Sequence, residues 1–244
     1  LATLHLLYRD DRLVAFNKPS GLLVHRSLID RHERRNAVQM AREQIGQWVY
    51  PVHRLDKPTS GVLLFALDPD TARRLSESFT RRLVDKRYLA VVRGYTVAAA
   101  RIDHPLREIR DELVRRTTHS DKAAMDAITD YQRLATVELP YPVGRYATAR
   151  YSLIEASPLT GRNRQIRRHM KHIFHPIVGD TSHGDGRHNE LFRSQFDCRR
   201  LLLHATSLTL AHPHTGVQLR IEALPDNTWR RVLGMLFVGQ TTKS

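Results

Sequence analysis

Short β-like runs recur along all 244 residues, separated by a few stretches of helical periodicity and by no Gly/Ser- or Pro-rich linker. Leu4–Asp10 and Arg12–Pro19 read as a strand pair joined by a tight turn. Ala37–Ile45 has helical spacing, and strand-like runs follow at Val49–His53 and Val62–Leu67. Asp68 stands at an N-cap with Pro69 in the first helical position. Ala72, Leu75, Phe79 and Leu83 then recur at the spacing of one buried helix face. Lys86–Arg93 returns to strand, and residues 103–122, with five acids, five Lys/Arg and few large apolar residues, read as an exposed excursion. Long strand-like runs follow at Ala127–Leu139 and Ala147–Ala156. Gln165–Phe174 is helical, with Ile166, Met170 and Ile173 on one face, and Glu190–Phe196 forms a short helix. Leu201–Leu210 and Val217–Ala223 read as a closing strand pair, and Asn227–Phe237 as a terminal helix capped near Asp226. The expected class is α+β, rich in antiparallel strands and most simply one domain, with a core over about residues 4–224.

Charge bounds the partners. Thirty-nine Lys and Arg against 25 Asp and Glu leave a formal net charge of +14. Such an excess fits nucleic acid, an anionic membrane surface, or a merely solubilising surface. The charge is clustered: Arg162–His172 holds five Lys/Arg and no acid, and Thr71–Arg93 holds seven against Glu77 and Asp85. On the Gln165 helix the apolar stripe leaves Arg164, Arg168 and Lys171 facing solvent, with Arg167 at the flank, where it can point into a cleft. A membrane-surface helix would carry exposed aromatics beside its bases, and this one offers only Phe174. No stretch approaches the roughly 20 apolar residues of a membrane span. Nucleic acid is the better match.

The lone Cys198 excludes an internal disulfide framework and a four-cysteine zinc site. The opening LATLHLLYRDDRL lacks a basic region ahead of its apolar run, unlike a signal peptide, so a reducing, cytoplasmic setting is the default expectation. Because residue 1 is Leu, an initiator Met or short leader is expected ahead of it.

Chemistry concentrates in VHRLDKPTSGVLLFAL, Val52–Leu67. Pro58 biases Lys57 away from helix, so Asp56 is presented on a turn between strands. An Asp in a turn is usually only a turn residue. Between Arg54 and Lys57, however, a carboxylate favours its ionised form and can serve as nucleophile or base.

His53-Arg54-Leu55-Asp56 followed by Thr59-Ser60-Gly61 resembles the catalytic signature of the RluA-type pseudouridine synthases. Asn17-Lys18-Pro19-Ser20-Gly21, Lys86-Arg87-Tyr88, Thr160-Gly161-Arg162 through Gln165-Ile166-Arg167, His175-Pro176-Ile177 with Gly179-Asp180, and Leu202–Ala205 match further family motifs in order. Ala135–Glu138, Gly144-Arg145-Tyr146, Arg167-Arg168-His169 and Gly179–Asp185 resemble the TruC-like tRNA pseudouridine-65 branch, since ribosomal-RNA members usually carry an aromatic at the place of His183. With the first motif at Asn17, no room is expected for an N-terminal S4 RNA-binding domain.

The resemblance implies a mixed, largely antiparallel sheet flanked by helices and loops, an RNA substrate (tRNA ahead of ribosomal RNA), and a redox-neutral isomerisation that needs no metal or other cofactor. It implies no membrane partner and does not call for an accessory protein. By it, Asp56 is the essential carboxylate, adding to the uracil ring or to C1′, or first taking a sugar proton. Arg167 pairs with that carboxylate, and Tyr88 stacks on the flipped base and is a candidate acceptor of the C5 proton. Arg54 fills the space the flipped nucleotide leaves. Ile166 lines the uracil pocket or is an ordinary core contact. Lys18 and Arg162 bind phosphate or fix nearby loops, and Arg164, Arg168 and Lys171 contact RNA. Arg164 departs from the family's usual His at that place, which bears on affinity and not on chemistry.

Two rivals weigh less. His169, His172 and His175 stand three apart, but the general-base Glu of a zinc hydrolase motif is absent between them. A non-catalytic RNA-binding module would account for the charge, yet not for Asp56, Tyr88 and Arg167 at their catalytic places.

Overall fold

The run SGVLLFA is buried at every position, as a strand covered on both faces must be. In the computed structural model, which describes residues 3–25, 35–108 and 123–237, this run is β4 (Ser60–Ala66). The other strands are β1 (His5–Arg9), β2 (Leu13–Lys18), β3 (Tyr50–Pro51), β5 (Asp85–Arg93), β6 (Ala99–Asp103), β7 (Ile128–Leu139), β8 (Ala149–Pro158), β9 (Leu203–Ala211) and β10 (Gln218–Glu222). All ten form one sheet in the order β1-β2-β4-β9-β5-β8-β7-β6, with β3 pairing β4 and β10 pairing β9. Every strand pair is antiparallel except β4–β9, so the sheet is mixed as expected.

That parallel junction is short, Ser60↔His204 and Gly61↔Ala205. Gly61 adopts φ +116, and a Cβ there would lie 2.1 Å from the Ala205 carbonyl oxygen. Only glycine lets the two backbones close at this point. Ala205 in turn faces Tyr88 of β5. One row across the sheet thus joins the strand that follows Asp56 to the strand that carries Tyr88.

Five described helices cover the sheet: α1 (Ala37–Ile45), α2 (Pro69–Thr80), α3 (Gln165–His172), α4 (Gly186–Phe196) and α5 (Asn227–Phe237). Asp68 caps α2 as its sequence requires, accepting from the Thr71 amide at 2.9 Å with Pro69 in the first turn. Asp226 caps α5 through the Trp229 amide at 3.0 Å. Met40 of α1 packs with Phe16 and Phe65, whereas Leu75 of α2 packs with Leu13, Val62 and Leu64. Successive residues of β2 and β4 therefore serve opposite faces. The same alternation divides β5: Val91 faces Phe192 of α4 and Trp229 of α5, while Ala90 and Val92 face Ile166 and Met170 of α3. No described helix is long and apolar enough to cross a membrane.

Several boundaries differ from the sequence reading. The Val49–His53 strand shrinks to Tyr50–Pro51, because Pro51 has no N–H to extend a ladder and the His53 ring instead accepts from the Leu64 amide at 2.9 Å. Leu83 is 60% exposed, lying beyond the end of α2. The Gln165 helix stops at His172, short of Phe174. α4 starts at Gly186, capped by Asp185. β6 has no counterpart in the sequence reading; its AARID run lacks the alternation that marks a strand. Of the 103–122 excursion, Leu106 is buried and bridged to Met125, and residues 109–122 lie outside the described residues.

Candidate active site

Asp56 sits on the connection from β3 to β4. The Thr59 amide donates to the Asp56 carbonyl at 3.0 Å, closing a turn over Lys57-Pro58. The Asn17–Gly21 segment braces this turn from behind. Gly21 N–H donates to the Lys57 carbonyl at 2.8 Å, and the Ser20 hydroxyl to the Pro58 carbonyl at 2.7 Å. Lys18 Nζ donates to the carbonyls of Pro19, Leu22 and Lys57 at 2.9, 2.8 and 3.1 Å. Lys18 is completely buried. Of the two roles expected for it, it therefore fixes the loop and offers phosphate no surface. Burial, helped by the charge of Arg200, pushes its ammonium down to about 7, while Asp56 pulls the other way; only –NH3+ can satisfy all three carbonyls. Lys18→Met is expected to cost about 2–3 kcal/mol by leaving buried acceptors without donors, read as the urea midpoint against the unaltered chain.

Arg167 lies at the start of α3 and is 4% exposed. Its Nη1 donates to Asp56 Oδ2 at 2.9 Å. Its Nε and Nη2 donate to the two oxygens of Asp180 at 2.7 and 2.8 Å. Asp180 Oδ1 also accepts from the Ser182 and His183 amides, both at 2.9 Å. Burial works to raise the Asp180 carboxyl, but the guanidinium and the two amides outweigh it and hold the group below its ordinary range. For Arg167 burial likewise opposes the charge, and the two carboxylates more than offset it. One guanidinium thus spans a buried carboxylate that fixes it and a partly buried one that it orients.

The start of α3 is itself pinned by Gln165. Its Oε1 accepts from the Thr160 hydroxyl at 2.6 Å and from the Arg162 amide at 2.9 Å, while Nε2 donates to Ile128 O and Thr129 Oγ1, both at 2.9 Å. That set of bonds is the physical content of the Thr160-Gly161-Arg162 to Gln165 spacing.

Opposite Tyr88 the pairing steps from Arg87↔Ser207 to Tyr88↔Ala205, so β9 carries one extra residue, Thr206, there, a bulge of the kind found beside functional sites. Burial, then the charge of Asp56, raises the Tyr88 hydroxyl above the ordinary tyrosine value. Tyr88, Arg54, Asp56, Ile166 and Arg167 line one cleft of about 680 Å3, within the range of small-molecule sites. Among the described residues, eight Lys/Arg line it against two acids, Asp56 and Glu108. A second cleft, of about 1220 Å3, shares Arg54, Asp56, Arg164 and Arg167 and adds Arg199 and Arg200. Asp56 sits where the two meet.

A sequence profile of the RNA pseudouridylate synthase family matches residues 12–172. This chain belongs to that family. It is 52% identical over 227 residues to the tRNA pseudouridine synthase C of Haemophilus ducreyi, covering 93% of each chain. With the Haemophilus influenzae protein of the same name it shares 51% over 230 residues, 94% of this chain and 96% of that one. Among solved structures, human RNA Pseudouridylate Synthase Domain Containing 1 superposes with TM-score 0.69 at 26% identity, over 92% of this chain and 84% of the other. Human RNA Pseudouridylate Synthase Domain Containing 4 gives 0.68 at 26% identity, over 94% and 91%.

Within this synthase fold, most residues expected at the site converge. Arg162, Arg164 and Arg168 line the first cleft. Arg162 also donates to the Asp126 carbonyl at 2.9 Å, and Arg168 to the Arg107 carbonyl at 2.9 Å, so both are half-tethered rather than free on a solvent face. Lys171 is exposed and lines neither cleft; the short helix carries it past the opening. Of the seven cations in Thr71–Arg93, only Arg82 and Lys86 reach the cleft, while Arg73 and Arg74 pair with Asp70 and Glu77 on the outer face of α2. Ile166 is both core and lining.

Three contributors have no role in the sequence reading. Asp180 stands in the matched Gly179-Asp180 pair, and only three dimensions bring it to Arg167. Arg200 donates to Ser60 Oγ at 2.5 Å and pairs with Asp226. His204 Nε2 lies 3.0 Å from the Ala223 carbonyl and so carries its proton, leaving Nδ1 to accept from Ser60 at 2.8 Å. This chain anchors the strand that begins just after the Asp56 turn. Two of the spaced histidines make contacts within the fold: His169 bonds Thr129 Oγ1 and the His104 carbonyl, and His172 stacks on His104 at 3.6 Å.

Proposed function

We propose that this chain converts uridine 65 of tRNA to pseudouridine, with Asp56 as the essential carboxylate. The observation that carries the reading is Asp56, held 2.9 Å from Arg167 at the junction of two cation-lined clefts. Near-full-length identity of about 50% to proteins named tRNA pseudouridine synthase C supports the choice of RNA.

The isomerisation breaks the N1–C1′ bond, turns the uracil and forms C5–C1′; C5 loses a proton and N1 gains one. Asp56 acts at the sugar–base junction with its orientation set by Arg167. Arg54, exposed at the mouth of both clefts, takes the place of the flipped nucleotide. Tyr88 and Ile166 bound the uracil. Because the raised Tyr88 hydroxyl holds its own proton, it takes the C5 proton only while passing that proton on. Arg162, Arg164 and Arg168 neutralise phosphates along the rim.

Deleting the gene and mapping pseudouridine in both RNA pools tests the assignment. Loss at tRNA position 65 with ribosomal RNA unchanged is expected; a ribosomal loss alone would reassign the substrate. Binding should weaken steeply with salt, roughly as one counterion per phosphate neutralised.

A further inference from the structure

Among the described residues, four that are not glycine have positive φ: Arg82 (60°), Arg164 (55°), Asp197 (42°) and Phe174 (64°). The first three line the clefts around Asp56, in keeping with the way backbone strain gathers at functional sites. Phe174 lines neither cleft, and its conformation has no such explanation.

Its setting is specific. Ile173 caps α3. The Phe174 amide donates to the Lys171 carbonyl at 3.0 Å and the His175 amide to the Met170 carbonyl at 2.9 Å. These two bonds make a Schellman ending with Phe174 at the left-handed position, where glycine is the usual occupant. The side chain is 79% exposed, more than any other large apolar residue described. Neither backbone preference nor burial accounts for a phenylalanine here.

The surroundings say what covers it. From Arg162 to Phe174 the chain carries five Lys/Arg and no acid. Lys171 and His172, just before Phe174, are exposed; beside it Arg93 donates to the Phe174 carbonyl at 3.4 Å and pairs with Asp185. The exposed residues just before Phe174 are polar, unlike the apolar core of a protein interface. An exposed flat ring beside Lys171, at the end of a basic helix, suits stacking of a base while phosphates are neutralised nearby. At about 1.5 Å per residue, Phe174 lies roughly 10 Å along α3 from Arg167, or two to three stacked nucleotides at about 3.4 Å each.

We propose that Phe174 is a stacking platform for an unpaired base of the RNA substrate, a short distance from the reacting uridine. The proposal rests on the synthase reading above. It gives stability and affinity opposite signs. With a tRNA transcript, Phe174→Gly is expected to leave kcat unchanged, raise KM and the dissociation constant about tenfold, and keep or raise Tm by about 2 °C. Phe174→Trp should bind as the unaltered chain does, and Phe174→Leu as weakly as the glycine variant. A fall in Tm for Phe174→Gly, unchanged RNA affinity, or full affinity with Leu would each overturn the proposal. Absence of turnover by the unaltered chain would count against the synthase reading instead, and the binding titration would still decide Phe174.

Discussion

Asp56→Asn is expected to abolish pseudouridine formation, by at least about 10^3-fold in kcat, in a protein that still folds and binds RNA. Asparagine is nearly isosteric and keeps an oxygen to accept from Arg167 Nη1, now at 2.9 Å from Asp56 Oδ2. The Asp56 side chain is 21% exposed, so the neutral amide leaves no sealed charge imbalance. Stability should change by less than about 1 kcal/mol. RNA affinity should hold or rise, since an anion leaves a cleft lined by eight Lys/Arg. A single-turnover assay beside a binding titration separates the effects. Turnover within tenfold of the unaltered chain would remove Asp56 from the chemistry. A loss matched by equal loss of binding would make it a docking residue.

Local sequence carries the elements better than the site. Capping and period place α2, because Asp68, Pro69 and Leu75 each act within one or two turns. The apolar run of β4 announces a central strand by the same local logic. β6 escapes, being an edge strand whose pairing with β7 supplies what its own residues lack. At the site, motif resemblance reaches Asp56, Tyr88 and Arg167, residues 32 and 111 positions from Asp56 that meet in one cleft. It does not say that Arg167 is held by Asp180, nor which of the two roles Lys18 takes. Those answers depend on burial, and burial is a property of the whole sheet. Charge shows the same limit. Clustering along the chain marks Arg162–Lys171 and Thr71–Arg93 alike, but ion pairs on α2 neutralise Arg73 and Arg74 while Arg82 and Lys86 turn to the cleft.

Arg167→Ala is expected to be the most destabilising single change at the site, by about 3–5 kcal/mol at pH 8, because it strands a buried carboxylate. The Asp180 side chain has no exposed surface and loses both guanidinium contacts. The pH dependence follows from the sign of the shift. In the unaltered chain the folded Asp180 pKa lies below the ordinary value, so its contribution is complete above about pH 4 and is lost only as pH falls through the lower folded value. Without Arg167, burial dominates and the folded pKa rises. The contribution is then present at low pH and lost as pH increases. The stability gap between variant and unaltered chain should therefore widen from pH 5 to pH 8, measured by urea unfolding at both. Adding Asp180→Asn to Arg167→Ala removes the stranded charge while an amide oxygen still accepts from Ser182 and His183; stability should largely return and its pH dependence disappear. Activity should not return, because Asp56 remains without the cation that orients it. A gap that is equal at the two pH values, or a double variant no more stable than Arg167→Ala, would show that Asp180 is not the group Arg167 compensates. Recovered turnover in the double variant would show that Asp56 does not depend on Arg167 for its position.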